Sequence, residues 1–267
     1  MALRDFALNG GMAMLSDANR RAKAQAPPRA GGRLRLALET SGDGVSLRIA
    51  GLRVTALPEG ALWLAEREAL VVSDLHLEKG TAFARAGHRL PPYDTRATLQ
   101  RLAALMAALK PRTVITLGDT FHDRGAMGRL DPADRNLLST MVDFTDWIWI
   151  EGNHDPEPPY GLGGRCEREV SVLGITFRHE PISGAAAGEV SGHLHPCARV
   201  ASRGGSVRRR CFATNGARLV MPAFGAYAGG LNVRDTAFTP LFPNGCHALM
   251  LGRTRVYPAG PGHLVDD

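Results

Sequence analysis

Side chains of the kinds that bind metal ions occur in five short blocks of the chain. Each block alone is a weak signal, because a single histidine is more often a hydrogen-bonded structural residue. The blocks are Asp74-Leu-His76, Gly118-Asp119, Gly152-Asn153-His154-Asp155, His179 and Gly192-His193-Leu-His195. Imidazole, carboxylate and amide groups without a thiolate suit Mn²⁺, Fe or Zn²⁺ in a hydrolytic site. Together the blocks predict a site for divalent metal ions.

Three buried strands are predicted to end where these blocks begin. Apolar runs at 69–73, 113–117 and 147–150 indicate the strands, and helical spacing indicates crossover helices at 94–109 and 130–144. Sites in α/β folds form at the carboxyl ends of strands. If the D-x-H and H-x-H pairs continue a strand, both side chains of each pair point to the same face. The strands would therefore bring the blocks together.

The second half of the chain is predicted to be mainly β. An Asn215-Gly216 hairpin turn is expected between its last two strands. A βαβαβ half followed by a β-rich half predicts two stacked sheets flanked by helices. Further short strands of a meander are expected at 34–38, 45–49, 52–57 and 62–64. The strands of the second half are expected at 170–172, 175–178, 189–192, 207–213 and 218–221.

The net charge of +6 over 267 residues is concentrated near the start of the chain. Residues 1–36 hold seven basic and two acidic side chains, and residues 19–32 are also rich in Pro and Gly. We predict a basic, partly disordered extension at 1–45 and one domain at 46–267. A basic arm that holds nucleic acid is the alternative for the extension. Charge alone therefore does not argue for a nucleic-acid partner.

The cysteine spacing and the hydropathy of the chain indicate the cellular compartment in which the protein is expected. The four cysteines are irregularly spaced, which predicts free thiols rather than a structural zinc site. The first residues lack the pattern of a secretory signal, and no apolar stretch is long enough to span a bilayer. We expect a cytoplasmic protein without a membrane partner.

The motifs DLH, GDTFHD, GNHD, the isolated His179 and GHLH resemble the five motif blocks of the calcineurin-like metallophosphoesterase superfamily. The resemblance implies an α/β fold, a four-layer α/β/β/α sandwich in which two stacked mixed sheets are flanked by helices. It also implies a dinuclear centre at the ends of the sheets. By this resemblance Asp74, His76 and His195 hold the first ion, Asn153, His179 and His193 hold the second, and Asp119 bridges them.

Longer segments narrow the resemblance. DLHLEKG, WIWIEGNHDP, FRHEP, GHLHP and MPAFGAYAGGLNV resemble the bacterial ligase-associated DNA damage response endonucleases of the PdeM type, over residues 46–258. This implies a DNA endonuclease and phosphodiesterase with two divalent ions, Mn²⁺ before Fe or Zn²⁺. It also implies DNA with single-stranded segments as substrate and a functional link to a DNA helicase and ligase. GDTFHDRG has one residue more than the GDxxDRG block of phosphoprotein phosphatases, which counts against that class.

The expected chemistry assigns roles to further residues. Two cations would polarise phosphoryl oxygens, lower the pKa of a bridging water and clamp an in-line displacement. His154 is the candidate general acid for the leaving oxygen, with Asp155 fixing its tautomer and orientation. For Asp155, a helix cap before Pro156 is an equal alternative. His122 and Asp123 are expected to support the ligands.

Cationic and aromatic side chains are candidates for contacting the substrate. Closely spaced glycines with Phe224 and Tyr227 would either form a groove on which a base stacks or pack beneath the metal loops. For the arginines 208–210, a solvated strand face is an equal alternative. The candidates for phosphate contacts are Lys79, Arg124, Arg178, Arg199, Arg208, Arg209 and Arg210.

Two other functions compete with a DNA endonuclease. The same site in a narrower pocket would make a phosphodiesterase for a small substrate, such as a cyclic nucleotide or a nucleotide conjugate. A non-catalytic scaffold for protein binding is the other, but such a scaffold can lose ligands, and all seven positions here hold competent side chains.

Overall fold

The computed structural model describes residues 36–88, 90–155, 159, 161–202 and 204–267. Residues 1–35 lie outside this range, as does Pro156, so the predicted basic extension and the helix cap for Asp155 stay predictions. The strand expected at 34–38 lies partly outside as well, and its described residues are not in a strand. Residues 39–41 and 44–45, which the predicted extension includes, lie in strands.

Eight strands pair in chain order to form the first sheet. They are β1 (Glu39–Ser41), β2 (Gly44–Ile49), β3 (Leu52–Ala56), β4 (Leu62–Leu64), β5 (Ala69–Val72), β6 (Thr113–Leu117), β7 (Asp146–Ile150) and β8 (Arg165–Glu167). Strands β1 to β5 form an antiparallel meander. Strands β5 to β8 are parallel, so β5, β6 and β7 end at the same edge of the sheet.

Nine strands form the second sheet. They are β9 (Glu169–Val172), β10 (Ile175–Arg178), β11 (Glu189–Ser191), β12 (Cys197–Ser202), β13 (Gly205–Thr214), β14 (Arg218–Val220), β15 (His247–Leu251), β16 (Val256–Ala259) and β17 (Leu264–Val265). The order is β16-β15-β13-β14-β11-β10-β9, and β12 pairs with β13 and β17. Strands β10, β11 and β14 are parallel. The Asn215-Gly216 hairpin turn is confirmed, since β13 and β14 are antiparallel and Asn215 Oδ1 accepts hydrogen bonds from the backbone after it.

The α-helices of the described residues are α1 (Lys79–Arg85), α2 (Asp94–Leu109) and α3 (Pro132–Asp143). Helix α2 connects β5 to β6 and α3 connects β6 to β7, as expected for crossovers. Leu99 and Leu138 of these helices share a buried cluster with Val114 and Trp147 of the first sheet. No helix of the described part is long and apolar enough to cross a bilayer.

The main core lies between the two sheets. Val71 and Ile115 of the first sheet share one buried cluster with Phe177, Val190 and Leu249 of the second. Apolar side chains on the facing surfaces therefore hold the sheets together. The predicted fold, two stacked mixed sheets with helices, is confirmed.

A segment with little regular structure covers the outer face of the second sheet. Val233, Phe238 and Phe242 pack there against Ala213 and Ala248 of β13 and β15. The only regular element between β14 and β15 is a 3₁₀ helix, Thr236–Phe238. Pro240 and Pro243 follow it, and proline lacks the N–H that a helix interior needs. The outer layer is thus built by side-chain packing without an α-helix.

Candidate metal centre

The loops after five strands meet and carry the seven predicted ligands. Three of these loops follow β5, β6 and β7, and two follow β10 and β11. Backbone hydrogen bonds join them: His76 N donates to Asp119 O at 2.9 Å, and Gly192 N donates to His179 O at 3.0 Å. The expectation that the blocks converge at strand ends holds for the described structure.

The D-x-H and H-x-H pairs do not continue their strands. Their backbones are in the left-handed region, which few residues other than glycine adopt. The prediction that these pairs continue a strand, with both side chains on one face, is therefore wrong. The chain turns directly after each strand, and these turns bring the side chains together. The positive φ angles at predicted ligands are 51° at Asp74, 45° at His76, 45° at Asp119, 67° at His193 and 46° at His195.

Two glycines allow the loops to approach this closely. A Cβ atom at Gly152 would overlap the backbone nitrogen and the carboxylate of Asp119. A Cβ atom at Gly192 would overlap Ser73 Oγ and lie 2.5 Å from Asp74 Oδ2. The glycines of the GNHD and GHLH blocks thus have a steric role.

One group of ligand atoms comes from Asp74, His76 and His195. Nε2 of His195 lies 3.2 Å from Nε2 of His76 and 3.2 Å from Oδ1 of Asp74. Asp74 is fully buried, and its other oxygen accepts a hydrogen bond from Ser73 Oγ at 2.5 Å. This group matches the set that the resemblance assigns to the first ion.

A second group comes from Asp119, His179 and His193. Nδ1 of His193 lies 3.2 Å from Nε2 of His179. Nδ1 of His179 donates to the Leu117 carbonyl at 2.8 Å, which leaves Nε2 with its lone pair toward His193 and Asp119. The group contains two of the three residues assigned to the second ion.

Asn153 is the third of these residues. Its side chain is exposed, and Nδ2 donates to Glu180 Oε1 at 2.6 Å, so the amide oxygen is the atom left for an ion. Glu180 Oε1 also lies 3.8 Å from His193 Nε2. Sequence reasoning missed Glu180, and its place directly after His179 was the available signal.

Asp119 lies between the two groups. Its Oδ1 accepts the backbone N–H of His154 at 2.9 Å. Its Oδ2 lies 3.9 Å from His76 Nε2 and 3.5 Å from His179 Nε2. A carboxylate oxygen that faces one histidine of each group is placed as a bridge would be.

The spacing and ionisation of these groups fit divalent ions. Two nitrogens at about 2.1 Å from one ion lie roughly 3.0–3.4 Å apart, and the histidine pairs are 3.2 Å apart. Burial lowers the pKa of His76 to about 3 and also lowers that of His193, so both imidazoles are neutral near pH 7. Burial would raise the pKa of Asp74, but the hydrogen bond and charge of His195 hold it below its usual value.

His154 lies at the exposed side of the two groups. Its Nδ1 donates to the His122 carbonyl at 2.7 Å, and its Nε2 lies 3.9 Å from Asp119 Oδ2. The predicted role of Asp155 in fixing this tautomer is wrong, because a backbone carbonyl does so. Asp155 Oδ2 instead accepts from Phe121 N at 2.9 Å and so ties down the loop of Asp119.

His122 is closer to the centre than its predicted supporting role implied. Its ring stacks on that of His154 with centroids 5.4 Å apart. Nitrogens of His76, His122 and His154 also lie within 4.8 Å of one another, a third arrangement that could hold an ion. Asp123 forms an ion pair with Arg129 at 2.7 Å, which fits the expected supporting role.

The structure separates the candidates for phosphate contacts. Lys79 begins α1. Burial is the main cause of the lowered pKa of His76 and of His122, and the charge of Lys79 lowers both further, so Lys79 lies near the centre. Arg124 is exposed on the loop that follows His122. Arg178 is paired with Glu169 at 2.6 Å and faces Glu189, and its phosphate contact stays a prediction.

The remaining arginines lie on the paired strands β12 and β13. Arg199 donates to Ser206 Oγ at 2.8 Å, and Arg208 donates to Asp267 at 2.8 Å. Arg209 is exposed, whereas Arg210 is half-buried and donates to the carbonyl oxygens of Ala223 and Gly225. The alternative prediction, that these arginines form a solvated strand face, therefore holds for Arg209 but not for Arg210.

The two aromatic candidates pack rather than form an open stacking surface. Phe224 is fully buried, and the Arg101 guanidinium lies 4.2 Å from its ring centroid. Tyr227 is half-buried and its hydroxyl donates to Pro91 O at 2.8 Å. Base stacking on Phe224 is therefore wrong, and packing beneath the metal loops is the better interpretation.

Comparison with known proteins gives a family and a fold. The family described as calcineurin-like phosphoesterase matches residues 68–211. No curated protein sequence matches the chain. The crystal structure of Pseudomonas putida nuclease MPE matches with a TM-score of 0.60 and 24% identity, over 81% of this chain and 100% of that chain. At this identity the likeness shows the fold alone.

A second solved structure is more distant. Yfce, a phosphoesterase from E. coli, matches with a TM-score of 0.37 and 14% identity, over 72% of this chain and 98% of that chain. This likeness is too weak to support an argument.

Proposed function

Because the chain belongs to the calcineurin-like phosphoesterase family, we propose that this metallophosphoesterase cleaves DNA phosphodiester bonds within a strand, with two divalent ions. The observation that carries the proposal is the placement of Asp119 between two groups of candidate ligand atoms. One contains Asp74, His76 and His195, and the other His179 and His193. Family membership alone supports a metal-dependent hydrolase, and the paired groups support a two-ion centre.

The proposed ligands are the seven residues of the motif blocks. When bound, two cations polarise the phosphoryl oxygens and lower the pKa of water for an in-line attack. The neutral His76 and His193 and the ionised Asp74 can bind such ions without first losing protons to solvent. Mn²⁺ is the proposed ion, because mixed imidazole, carboxylate and amide ligands suit it and the resemblance to the endonuclease family favours it.

His154 is the proposed proton donor to the leaving oxygen. Its Nδ1–H is engaged by the His122 carbonyl, so Nε2 is the atom that can carry and release a proton. The side chain is 46% exposed, which allows an incoming phosphodiester to reach it. The stack with His122 holds the ring in place.

DNA is the proposed substrate for two reasons. The motif blocks and the segments between them resemble endonucleases that act in the bacterial DNA damage response. A structural neighbour that covers most of the chain is called a nuclease. A functional link to a DNA helicase and ligase follows from the same resemblance and belongs to the proposal, as does the cytoplasmic location expected from the sequence pattern.

Cleavage of circular single-stranded DNA is the test, because a circle has no ends for an exonuclease. The protein is stripped of metal and resupplied with Mn²⁺, and Asp119→Asn is measured beside it. Asp146→Asn is the control, since Asp146 is exposed at the opposite end of β7. We expect cleavage that requires Mn²⁺, falls by at least about a hundredfold in Asp119→Asn and persists in the control.

Two results would contradict the proposal in different ways. Intact circles together with hydrolysis of bis-p-nitrophenyl phosphate would support the metal centre but contradict DNA as the substrate. They would indicate a small phosphodiester instead. Absence of both activities in the Mn²⁺-loaded protein would contradict a catalytic function and favour a protein-binding scaffold.

A further inference from the structure

A cavity of about 390 Å³ lies beside the segment that follows His195. Four of its lining residues are arginines. Strand β13 supplies three of them, and the turn between β15 and β16 supplies the fourth. The arginine cavity is lined by Arg208, Arg209, Arg210 and Arg253, together with Cys197 and Gly229.

Strand pairing brings these arginines together from distant parts of the chain. Cys211 of β13 pairs with Met250 of β15, so Arg210 lies next to Leu251 and close to the turn that holds Arg253. On the other side of β13, Arg210 pairs with Cys197, two residues after His195. The register of the sheet therefore fixes the cavity beside the metal centre.

The cavity has an excess of positive charge. Arg208 is paired with Asp267 at 2.8 Å. Arg209 and Arg253 are exposed, and neither has an ion pair among the described residues. The hydrogen bonds of Arg210 go to backbone carbonyl oxygens, which satisfy donors without neutralising the charge. Three arginines thus line one space without a carboxylate partner in the described structure.

One segment, residues 223–230, separates the arginine cavity from the proposed ligands. Gly225 N donates to Asp74 O at 3.1 Å, and Gly225 O accepts from Arg210. Gly230 lies directly against the His195 carbonyl, and its own carbonyl accepts from Arg208 at 2.8 Å. The same backbone thus contacts a ligand-bearing loop on one side and an arginine on the other.

We infer that the arginine cavity binds a backbone phosphate of the DNA strand next to the phosphodiester that is cleaved. This inference rests on the proposed function. Guanidinium groups match phosphate oxygens in paired hydrogen bonds and keep their charge at all physiological pH values. A strand carries a phosphate at every nucleotide, so one can occupy the cavity while another reaches the metal centre. A small phosphodiester has no second phosphate to place there.

The test compares two variants by binding to a fluorescein-labelled oligothymidylate, measured by anisotropy with Ca²⁺ in place of Mn²⁺. Arg209→Gln with Arg253→Gln removes two exposed charges of the cavity. Arg208 and Arg210 are kept because they hold backbone carbonyls. Arg255→Gln is the control, because Arg255 lies in the same turn but pairs with Asp43 outside the cavity.

We expect the double variant to bind the oligonucleotide about tenfold more weakly. The slope of log affinity against log salt should become shallower by about 0.7, since one phosphate contact on a single strand contributes roughly that much. With Mn²⁺, the kcat/KM for DNA divided by that for bis-p-nitrophenyl phosphate should fall about tenfold. Arg255→Gln should change each quantity by less than about twofold.

The outcomes separate this inference from the proposed function. Equal affinity, slope and rate ratio in the double variant and the control would overturn the inference that the arginine cavity binds a DNA phosphate. Cleavage of DNA by the wild type would still support the proposed function. Failure of the wild type to bind the oligonucleotide would also overturn the inference. Binding that depends on the two arginines, in a protein that cleaves no DNA, would support the cavity and contradict the endonuclease.

Discussion

His154 is held by the main chain of a neighbouring loop. Its Nδ1–H donates to the His122 carbonyl, whereas the predicted partner Asp155 binds the backbone N–H of Phe121. Burial raises the pKa of Asp155 to about 7, and the charge of Asp119 adds to this. Asp155 therefore positions the loop of Asp119. Nε2 of His154 is left for the proposed proton transfer.

A proton donor is needed most when the leaving group is a poor one. We predict that His154→Gln lowers kcat on DNA by about 10²–10⁴-fold, the usual contribution of general acid catalysis. On bis-p-nitrophenyl phosphate, whose phenolate leaves without a proton, the loss should be under about tenfold. Steady-state rates on both substrates check this, with the exposed His263→Gln as control. An equal loss on both substrates would exclude a proton donor at this position.

Side-chain chemistry was predictable from sequence at the ligands but not at their supports. Asp74, His76 and the other motif residues are identified by type and spacing, because few side chains bind such ions. The carbonyls that orient His154 and His179 are backbone atoms, which every residue has. Glu180 and Arg253 lie outside the motif blocks, and only the folded chain brings them to the centre and to the cavity.

The loops of the centre tolerate little added volume. Gly192 packs against Ser73 and Asp74, so a methyl group there must displace a ligand. We predict that Gly192→Ala lowers the free energy of unfolding by about 1–3 kcal/mol, as other overpacking changes do. It should also weaken Mn²⁺ binding at least about tenfold. Urea unfolding and metal titration by calorimetry measure the two effects.

Gly128→Ala is the matched control for this prediction. A Cβ atom at Gly128 has no neighbour within 4 Å, and the residue does not have a positive φ. Its unfolding and metal affinity should stay close to those of the wild type. If Gly192→Ala behaved like Gly128→Ala, the loops would be more adaptable than their packing indicates.

The strands that position the centre were predictable, and some peripheral strands were not. Helix α2 and strands β6 and β10 have the bounds expected from sequence, since apolar residues at helical or strand spacing define them. Strand β8 was missed because Arg-Cys-Glu has no apolar alternation, and it forms only by pairing with β7. Strand β16 contains Pro258, which obscures its pattern at the edge of the sheet.

At the scale of the whole molecule, bound metal should stabilise the fold. An ion that binds only the folded state adds about 2.7 kcal/mol at a hundredfold excess over its dissociation constant. For a domain of this size we predict a rise in Tm of about 5–10 °C with Mn²⁺. Differential scanning calorimetry of metal-free and Mn²⁺-loaded protein measures it.

Two variants test whether this rise comes from the proposed centre. The rise should be largely lost in Asp119→Asn, because Asp119 lies between both ligand groups. It should persist in Asp146→Asn, whose exposed carboxylate is far along the strand. A rise of equal size in Asp119→Asn would place the stabilising ion elsewhere.

The two histidines that approach within 3.2 Å in the first group are 119 positions apart in the chain. During synthesis on a ribosome, the segment with His76 emerges long before the one with His195. Bringing together residues so far apart in the chain carries a large loop-closure cost, which the contacts of the two sheets must first offset. We therefore expect the proposed centre to form late in folding, so that metal would bind the folded domain and would not guide the nascent chain.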